Sequence, residues 1–373
     1  MQIAIIGAGI GGLTTALFLQ RQGIEVRIFE QSPVLKPVGA GIILAHNAMQ
    51  VLRNLSLETT ITALGKPLNS LKIKTSTLED INAIDTQYFD QKFDVSSVAI
   101  KRSDLQNLLV SKLKNNTIVL NKQVVNIQTG KTTTLHFSDK SQFECDAVIS
   151  ADGIHSTTRK RLFDKSQIRK PNQMCWRGIA NIHLPQHFKN ELNELWGRGS
   201  RFGFVEVADN QVYWYGLYDS RESLGMHGLP ERFETYAPIV NDILSKTKAD
   251  RIHQSEIADL KPIPNWHRGS VCLLGDAAHA TTPNMGQGAC QAIEDAYVLS
   301  HYIATDPIES AFAKFEQARR NKATMIVNMS WQLGYISQLK NPILSAMRNF
   351  LFKNAPKRYN QRQTERIYSL TPL

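Results

Sequence analysis

Cysteine is scarce in this 373-residue chain, with four residues, Cys145, Cys175, Cys272 and Cys290, at no metal-type spacing. They read as free thiols of a reducing compartment, which excludes a disulfide scaffold and a zinc module. No apolar run reaches the roughly 18 to 20 residues of a membrane span. The chain opens directly on a strand pattern without a basic-then-apolar leader, so the expected location is the cytoplasm. Zinc-finger and RNA-binding signatures are missing, and basic residues do not interleave with aromatics, so nucleic acid is not an expected partner. Internal repeats and low-complexity segments are missing too.

What is present suits a globular protein of two intimately joined domains, 42% hydrophobic and 20% charged. The net charge of +10 is uneven, because the last sixty residues hold eleven Lys and Arg against two Glu. A basic end of this kind attracts phosphates or a membrane surface, or simply keeps a helical face solvated.

Residues 1 to 30 begin with the buried-type strand Ile3-Ala4-Ile5-Ile6, followed by Gly7-x-Gly9-x-x-Gly12. A helix with Leu13, Ala16, Leu17 and Leu19 closes near Gly23, and a second strand ends in Glu30. This is the dinucleotide fingerprint in its required context. Gly7 makes the turn, Gly9 admits a pyrophosphate, and Gly12 lets helix and strand pack. Glu30 can accept both hydroxyls of an adenosine ribose, and its charge disfavours a 2′-phosphate. No second glycine fingerprint follows.

The run Val271 to Ile303 repeats the logic at the other end of the chain. An apolar strand stops at Gly275-Asp276, a loop carries Pro283, Asn284, Gly286, Gln287 and Gly288, and an apolar helix face begins at Ala289. The carboxylate can hold a hydroxyl, and the glycines bring backbone N–H groups and a helix N-terminus close to an anion. A cofactor with a polyol chain and a ring that turns anionic on reduction fits this order. Flavin adenine dinucleotide (FAD) has both. A third strand end, Ala147 to Ser150, runs into Asp152-Gly153 with Ser156 and Arg159 behind it, as a capped turn or as a further cofactor-facing edge.

Between these anchors, Pro37 to Leu44 reads as backbone approaching something flat. Asn47 is the expected N-cap of the next helix, and His46 before it is either a ligand-facing side chain or an ordinary loop histidine. Arg102 stands in the first turn of a helix, against the dipole preference, which hints that its charge serves a ligand. Residues 171 to 262 alternate like antiparallel strands, with Tyr213 and Tyr215 on one face and Trp214 on the other. That sheet either packs its own aromatics or roofs a ring, with Arg177, Arg201 or Tyr213 reaching a substrate. Phe312 to Tyr335 gives one terminal helix and Ile343, Leu344, Met347, Phe350 and Leu351 another. Both are expected to close over the cofactor domain with their basic residues outside.

The three signals in this order resemble the FAD-dependent aromatic hydroxylases of the para-hydroxybenzoate hydroxylase class. The stretch Gly275-Asp276-Ala277-Ala278-His279 is most similar to the branch of salicylate, 3-hydroxybenzoate and urate hydroxylases and zeaxanthin epoxidase. The resemblance implies an α/β fold: a Rossmann-like, three-layer ββα FAD domain with an interleaved, mostly antiparallel substrate sheet and C-terminal helices. The expected FAD domain comprises 1–67, 100–170 and 263–335, the substrate domain 68–99 and 171–262, and the basic helical segment 336–373.

The resemblance also implies non-covalent FAD, NAD(P)H as a transient reductant, and oxygen handed from a flavin C4a-hydroperoxide to a small aromatic, heteroaromatic or olefinic substrate. Asp276 would hold the ribitol, Pro283, Gly286, Gln287 and Gly288 would flank the ring, and Arg102 would meet flavin or phosphates. Asp152 and Gly153 would serve both nucleotides, and Gly11, Gln31, Ala40, Gly41 and Val124 join the candidate cofactor contacts. No residue is a fixed general base in that class, so Arg201, Tyr213 and His46 stand only as candidates. No metal site is expected, and the oligomer is a monomer or homodimer. The alternatives are a flavoprotein reductase acting on an isoprenoid or lipid-like substrate, and a flavoprotein docked on a membrane through its basic end.

Overall fold

The structure is a computed structural model that describes residues 1–35, 40–163, 166–222 and 228–373. Of the expected backbone approach, Pro37, Val38 and Gly39 lie outside the described residues.

The apolar runs without alternation become the centre of a parallel sheet, covered on both faces. Its strand order is His267–Arg268, Val271–Leu273, Ala147–Ser150, Gln2–Ile6, Glu25–Phe29 and Ile118–Val119. Every pair is parallel except the first hairpin. On one face Ile3, Ile5, Ile28 and Ile149 pack with Leu13, Leu17, Ile293 and Leu299 of helices Ile10–Arg21 and Gly288–Thr305. On the other, Ala4, Ile6, Phe29 and Val148 meet Val124, Leu135 and Phe137 of a three-stranded antiparallel sheet. Two sheets and a helical layer form the three-layer ββα arrangement. Each fully buried Ile or Leu here contributes roughly 1.5–3 kcal/mol relative to exposure.

The alternating stretches build a seven-stranded sheet, in order His253–Glu256, Gln173–Asn181, Gln211–Asp219, Ser200–Ala208, Glu191–Trp196, Ser70–Thr75 and Asp80–Asp85. It is antiparallel apart from the pairing of Glu191–Trp196 with Ser70–Thr75. One face buries Trp176, Phe202, Phe204 and Trp214 under Phe233 and Ile243. Period-two alternation leaves Arg201, Tyr213 and Tyr215 on the other face.

Three expectations need correction. Asn47 is not an N-cap: Ala45 takes that place in helix His46–Asn54, and the Asn47 amide lies buried, donating to Glu294 at 3.1 Å. The C-terminal basic residues are not all outside. Arg319 is wholly buried, Lys322 bonds the buried Glu294, and Arg348 lies buried against Trp196. Helix Pro342–Lys353 does not lay its apolar stripe on the cofactor layer either. Ile343, Leu344, Met347, Phe350 and Leu351 are exposed, and Ser345 and Arg348 form the inward face.

Candidate active site

Because Glu25–Phe29, Gln2–Ile6, Ala147–Ser150 and Val271–Leu273 are parallel neighbours, their carboxyl ends share one edge. Glu30, Gly7, Ala151 and Gly275 with Asp276 follow those four ends in turn. Glu30 and Asp276 are thus three strand spacings of roughly 4.8 Å apart, about 14 Å in all. A dinucleotide lying across that edge spans them, the usual place for a ligand in such sheets.

The glycines show which backbone must come close. Gly7 has φ +100°, and a Cβ there would lie 2.5 Å from the Ala151 carbonyl oxygen. A Cβ on Gly12 would lie 2.2 Å from the Gly7 oxygen, so helix and strand touch there. Nothing lies within 4 Å of a Cβ placed on Gly9, and Gly9 is the uncapped N-terminus of helix Ile10–Arg21. Free N–H groups there face open space, as an anion requires. The Glu30 carboxylate accepts from the N–H groups of Ala8 and Ser32, both at 2.9 Å, with lone pairs to spare for hydroxyls. Gln31 is exposed beside it.

From this edge a cavity of about 620 Å³ runs beneath the seven-stranded sheet. Gly9, Gly11, Ala40, Gly41, Arg102, Gly153, Asp276, Pro283, Gly286, Gln287 and Gly288 all line it, with Arg201 and Tyr213 on the opposite wall. Asp276 accepts no hydrogen bond from any described residue. It is exposed to the cavity, and the protein walls around it raise its carboxyl pKa, partly offset by His279 and Arg102. A hydroxyl donor from a polyol would supply what the carboxylate lacks. Gly288, at the uncapped start of helix Gly288–Thr305, brings its backbone beside Asp276.

Beneath the Asp276 turn lies a buried charged cluster. Asp295 accepts from the Gly275 N–H at 3.1 Å and bonds the His279 ring at 2.5 Å and Arg319 at 2.7 Å. Burial alone would raise its pKa, but His279 and Arg319 prevail and hold it at about 2. Arg319 also binds Glu294, which in turn accepts from the Thr371 N–H at 3.0 Å. The chain's last turn is thereby tied to the helix that starts at the cavity. Nothing in the local sequence around Asp295 or Arg319 signals this role.

The opposite wall carries a second polar cluster. Arg201, almost fully buried, pairs with Glu194 at 3.1 Å and donates to the Asn284 side chain in the 283–288 loop. The Tyr215 hydroxyl donates to the other Glu194 oxygen. Burial, then Glu194, pushes the Tyr215 phenol well up, and burial raises Tyr213 likewise. Both stay protonated near neutral pH, so neither serves as a base there. Tyr215 was findable from its spacing to Tyr213, whereas Glu194 and Asn284 meet Arg201 only through folding.

Three candidates lie elsewhere. His46 does not line the cavity: it is fully buried, bonding Asp90 at 2.7 Å and Ser97 at 3.0 Å, with its ring against Tyr368. The Asp152 carboxylate turns away to cap helix Thr157–Leu162, accepting from Thr157 N–H at 3.0 Å. Val124 sits on the three-stranded sheet beside Thr157 and Arg161, in a small separate hollow. The described residues hold no metal-type cluster of His, Cys, Asp or Glu. Arg159, behind Gly153, donates at 2.7 Å to the Ala277 carbonyl and so links two of the strand-end turns.

Comparison with known proteins supports the fold and the cofactor. A family model described as FAD binding domain matches residues 1–311. Aurachin C monooxygenase/isomerase of Stigmatella aurantiaca is 31% identical over 100% of this chain and 99% of its own length. The 2-heptyl-3-hydroxy-4(1H)-quinolone synthase of Pseudomonas aeruginosa is 29% identical over 99% of this chain and 98% of its own. The solved Klebsiella pneumoniae HpxO, complexed with FAD and uric acid, superposes with a TM-score of 0.91 at 24% identity, covering 100% and 97% of the two chains. The chain belongs to the FAD binding domain family and is an FAD-dependent oxidoreductase of the monooxygenase type.

Proposed function

We propose that this monooxygenase uses NAD(P)H and dioxygen to hydroxylate a heteroaromatic ring that carries an apolar chain. The observation behind this reading is the apolar share of the cavity wall. Besides Arg201 and Tyr213, with Lys72 and Asn82, the cavity is lined by Leu71, Ile73, Leu192, Met329, Leu333 and Phe352. A small polar ring would leave that apolar surface wet, whereas an alkyl or isoprenoid tail covers it, at roughly 25 cal/mol per Å². One relative named above makes a quinolone with a heptyl chain, which supports the same class.

When bound, FAD supplies hydride acceptance and oxygen activation; the chain supplies position, charge and exclusion of water. Glu30 and the amides after Gly9 would hold the adenosine and pyrophosphate. Asp276 would accept from the ribitol. The N-terminus of helix Gly288–Thr305 would favour negative charge on a ring placed there, an effect of about 0.3–2 kcal/mol. Arg102, whose guanidinium has no hydrogen-bond partner among the described residues, is placed for a phosphate or the flavin edge. Arg201, oriented by Glu194 and Asn284, and the neutral Tyr213 and Tyr215 hydroxyls orient the substrate ring. With no second glycine fingerprint in the sequence, the nicotinamide nucleotide visits the same cleft only transiently.

In this reading 1–67, 100–170 and 263–335 form the FAD part and 68–99 with 171–262 the substrate part, ahead of the segment 336–373. The protein acts in the cytoplasm, in keeping with four buried free thiols, as a monomer or homodimer. The test is NAD(P)H oxidation by the purified yellow protein with 4-quinolones of increasing alkyl length under labelled dioxygen. One labelled oxygen per product, with KM falling as the chain lengthens, is expected. Equal KM values for bare and alkylated rings would overturn the chain-binding part. Turnover without oxygen would overturn the rest.

A further inference from the structure

The outer surface of the C-terminal helices is built the wrong way round for a protein that meets only water. In helix Pro342–Lys353 the residues against the body are Ser345, Arg348 and the ring of Phe352, which touches Trp196. The residues facing out are Ile343, Leu344, Met347, Phe350 and Leu351, with Ile343 75% and Phe350 66% exposed. At 100° per residue they form one stripe about 120° wide. Helix Lys357–Tyr368 follows after three residues, burying Thr364, Ile367 and Tyr368 and turning Arg358, Tyr359, Arg362 and Arg366 outward. No Asp or Glu occurs from residue 341 to 362. None of Lys353, Lys357, Arg358, Arg362 and Arg366 is ion-paired among the described residues.

We propose that this face docks the protein on an anionic phospholipid bilayer, with the Pro342–Lys353 helix lying in the headgroup plane. An apolar stripe beside a cationic one is the pattern of an interfacial helix, and an exposed tyrosine suits the same depth. The charges select the occupant. A second copy would bring the same unpaired cations against them within a chain of net charge +10, so self-association through this face is opposed by like-charge repulsion. An anionic leaflet attracts them. The docking spans nothing, since no helix among the described residues is long and apolar enough to cross a membrane. The inward sides of the same two helices, through Phe352, Asn360, Thr364 and Ile367, wall the cavity. A substrate dissolved in the bilayer thus waits next to the site. The docking itself does not depend on which substrate is oxidised.

The test is co-sedimentation of the FAD-loaded full chain with phosphatidylcholine vesicles and with vesicles containing phosphatidylglycerol. Binding about tenfold stronger to the anionic vesicles, and weakened by salt, is expected. The double variant Ile343→Ser/Phe350→Ser and the double variant Arg358→Gln/Arg362→Gln should each lose most of it. Both should keep their FAD content and their turnover of a water-soluble substrate. Absence of binding by the unaltered protein, or variants that bind anionic vesicles as strongly as the unaltered protein, would overturn the proposal. So would a dimer in light scattering that Ile343→Ser/Phe350→Ser dissolves while vesicle binding persists, because that face would then belong to a second copy.

Discussion

The Tyr213 ring lies directly over the backbone of Gly41: a Cβ on Gly41 would sit 2.5 Å from the ring's Cγ. One residue belongs to the strand Gly41–Leu44 after the first nucleotide half-motif, the other to the centre of the seven-stranded sheet. Their contact sets how closely the substrate sheet comes down on the cofactor edge. Gly41→Ala should push the ring away and open the cleft, with an overpacking cost of about 1–3 kcal/mol. The expected result is looser coupling, with more NAD(P)H oxidised per product formed, measured by comparing cofactor consumption with product yield.

Arg201 is buried between Glu194 and Asn284, so its charge cannot be removed without stranding a carboxylate. Arg201→Gln should raise substrate KM about 10- to 100-fold, and Arg201→Lys should not restore it, because an ammonium cannot make both bonds at once. Steady-state kinetics with FAD saturating separates this from a loss of cofactor.

Asp276 lines the cavity and would accept a hydrogen bond from a ribitol hydroxyl. Asp276→Ala should weaken FAD retention roughly 10- to 100-fold, the worth of a charge-assisted hydrogen bond. Thermal stability of the flavin-free protein should change little, since Asp276 is exposed to the cavity and makes no hydrogen bond to any described residue. Flavin fluorescence titration and unfolding of the apoprotein check the two halves separately.

Asp295, held at about 2 against an ordinary 3.8, links stability to acid. A depressed carboxyl contributes stability that is complete above its unfolded pKa and is lost as pH falls through its folded value. The expected loss is about 2 kcal/mol between pH 5 and pH 2. Asp295→Asn should lower stability at pH 7 by about 3–5 kcal/mol, because Arg319 loses a buried partner. It should also flatten the acid limb of a melting-temperature profile taken from pH 7 to pH 3.

Much of this was readable from local order in the chain. A strand, a tight glycine turn and a helix N-terminus are neighbours in sequence, so the strand–turn–helix unit around Gly7, Gly9 and Gly12, with Glu30 at the next strand end, could be read from spacing alone. Asp276 and Gly288 follow the same rule. His46 and Asn47 were not legible in this way, because polar residues at a helix start look alike whether they cap, face a ligand or pack inside. The surrounding Asp90, Ser97 and Glu294 are remote in sequence, and they decide the matter.

The amino-acid sequence by itself pointed to the cofactor, since backbone clearance and strand-end carboxylates are properties of short segments, and to the chemistry only through the family resemblance those motifs carry. Only the tertiary structure decided which residues share a wall. Arg201 finds Glu194 and Asn284, Arg319 finds Asp295 and Thr371, and an apolar stripe expected inside lies outside. The physical reason is that periodicity states which residues share a face of an element, but not what that face is packed against. The partner of a face is chosen by the burial of the whole chain, where remote segments compete for the same surface.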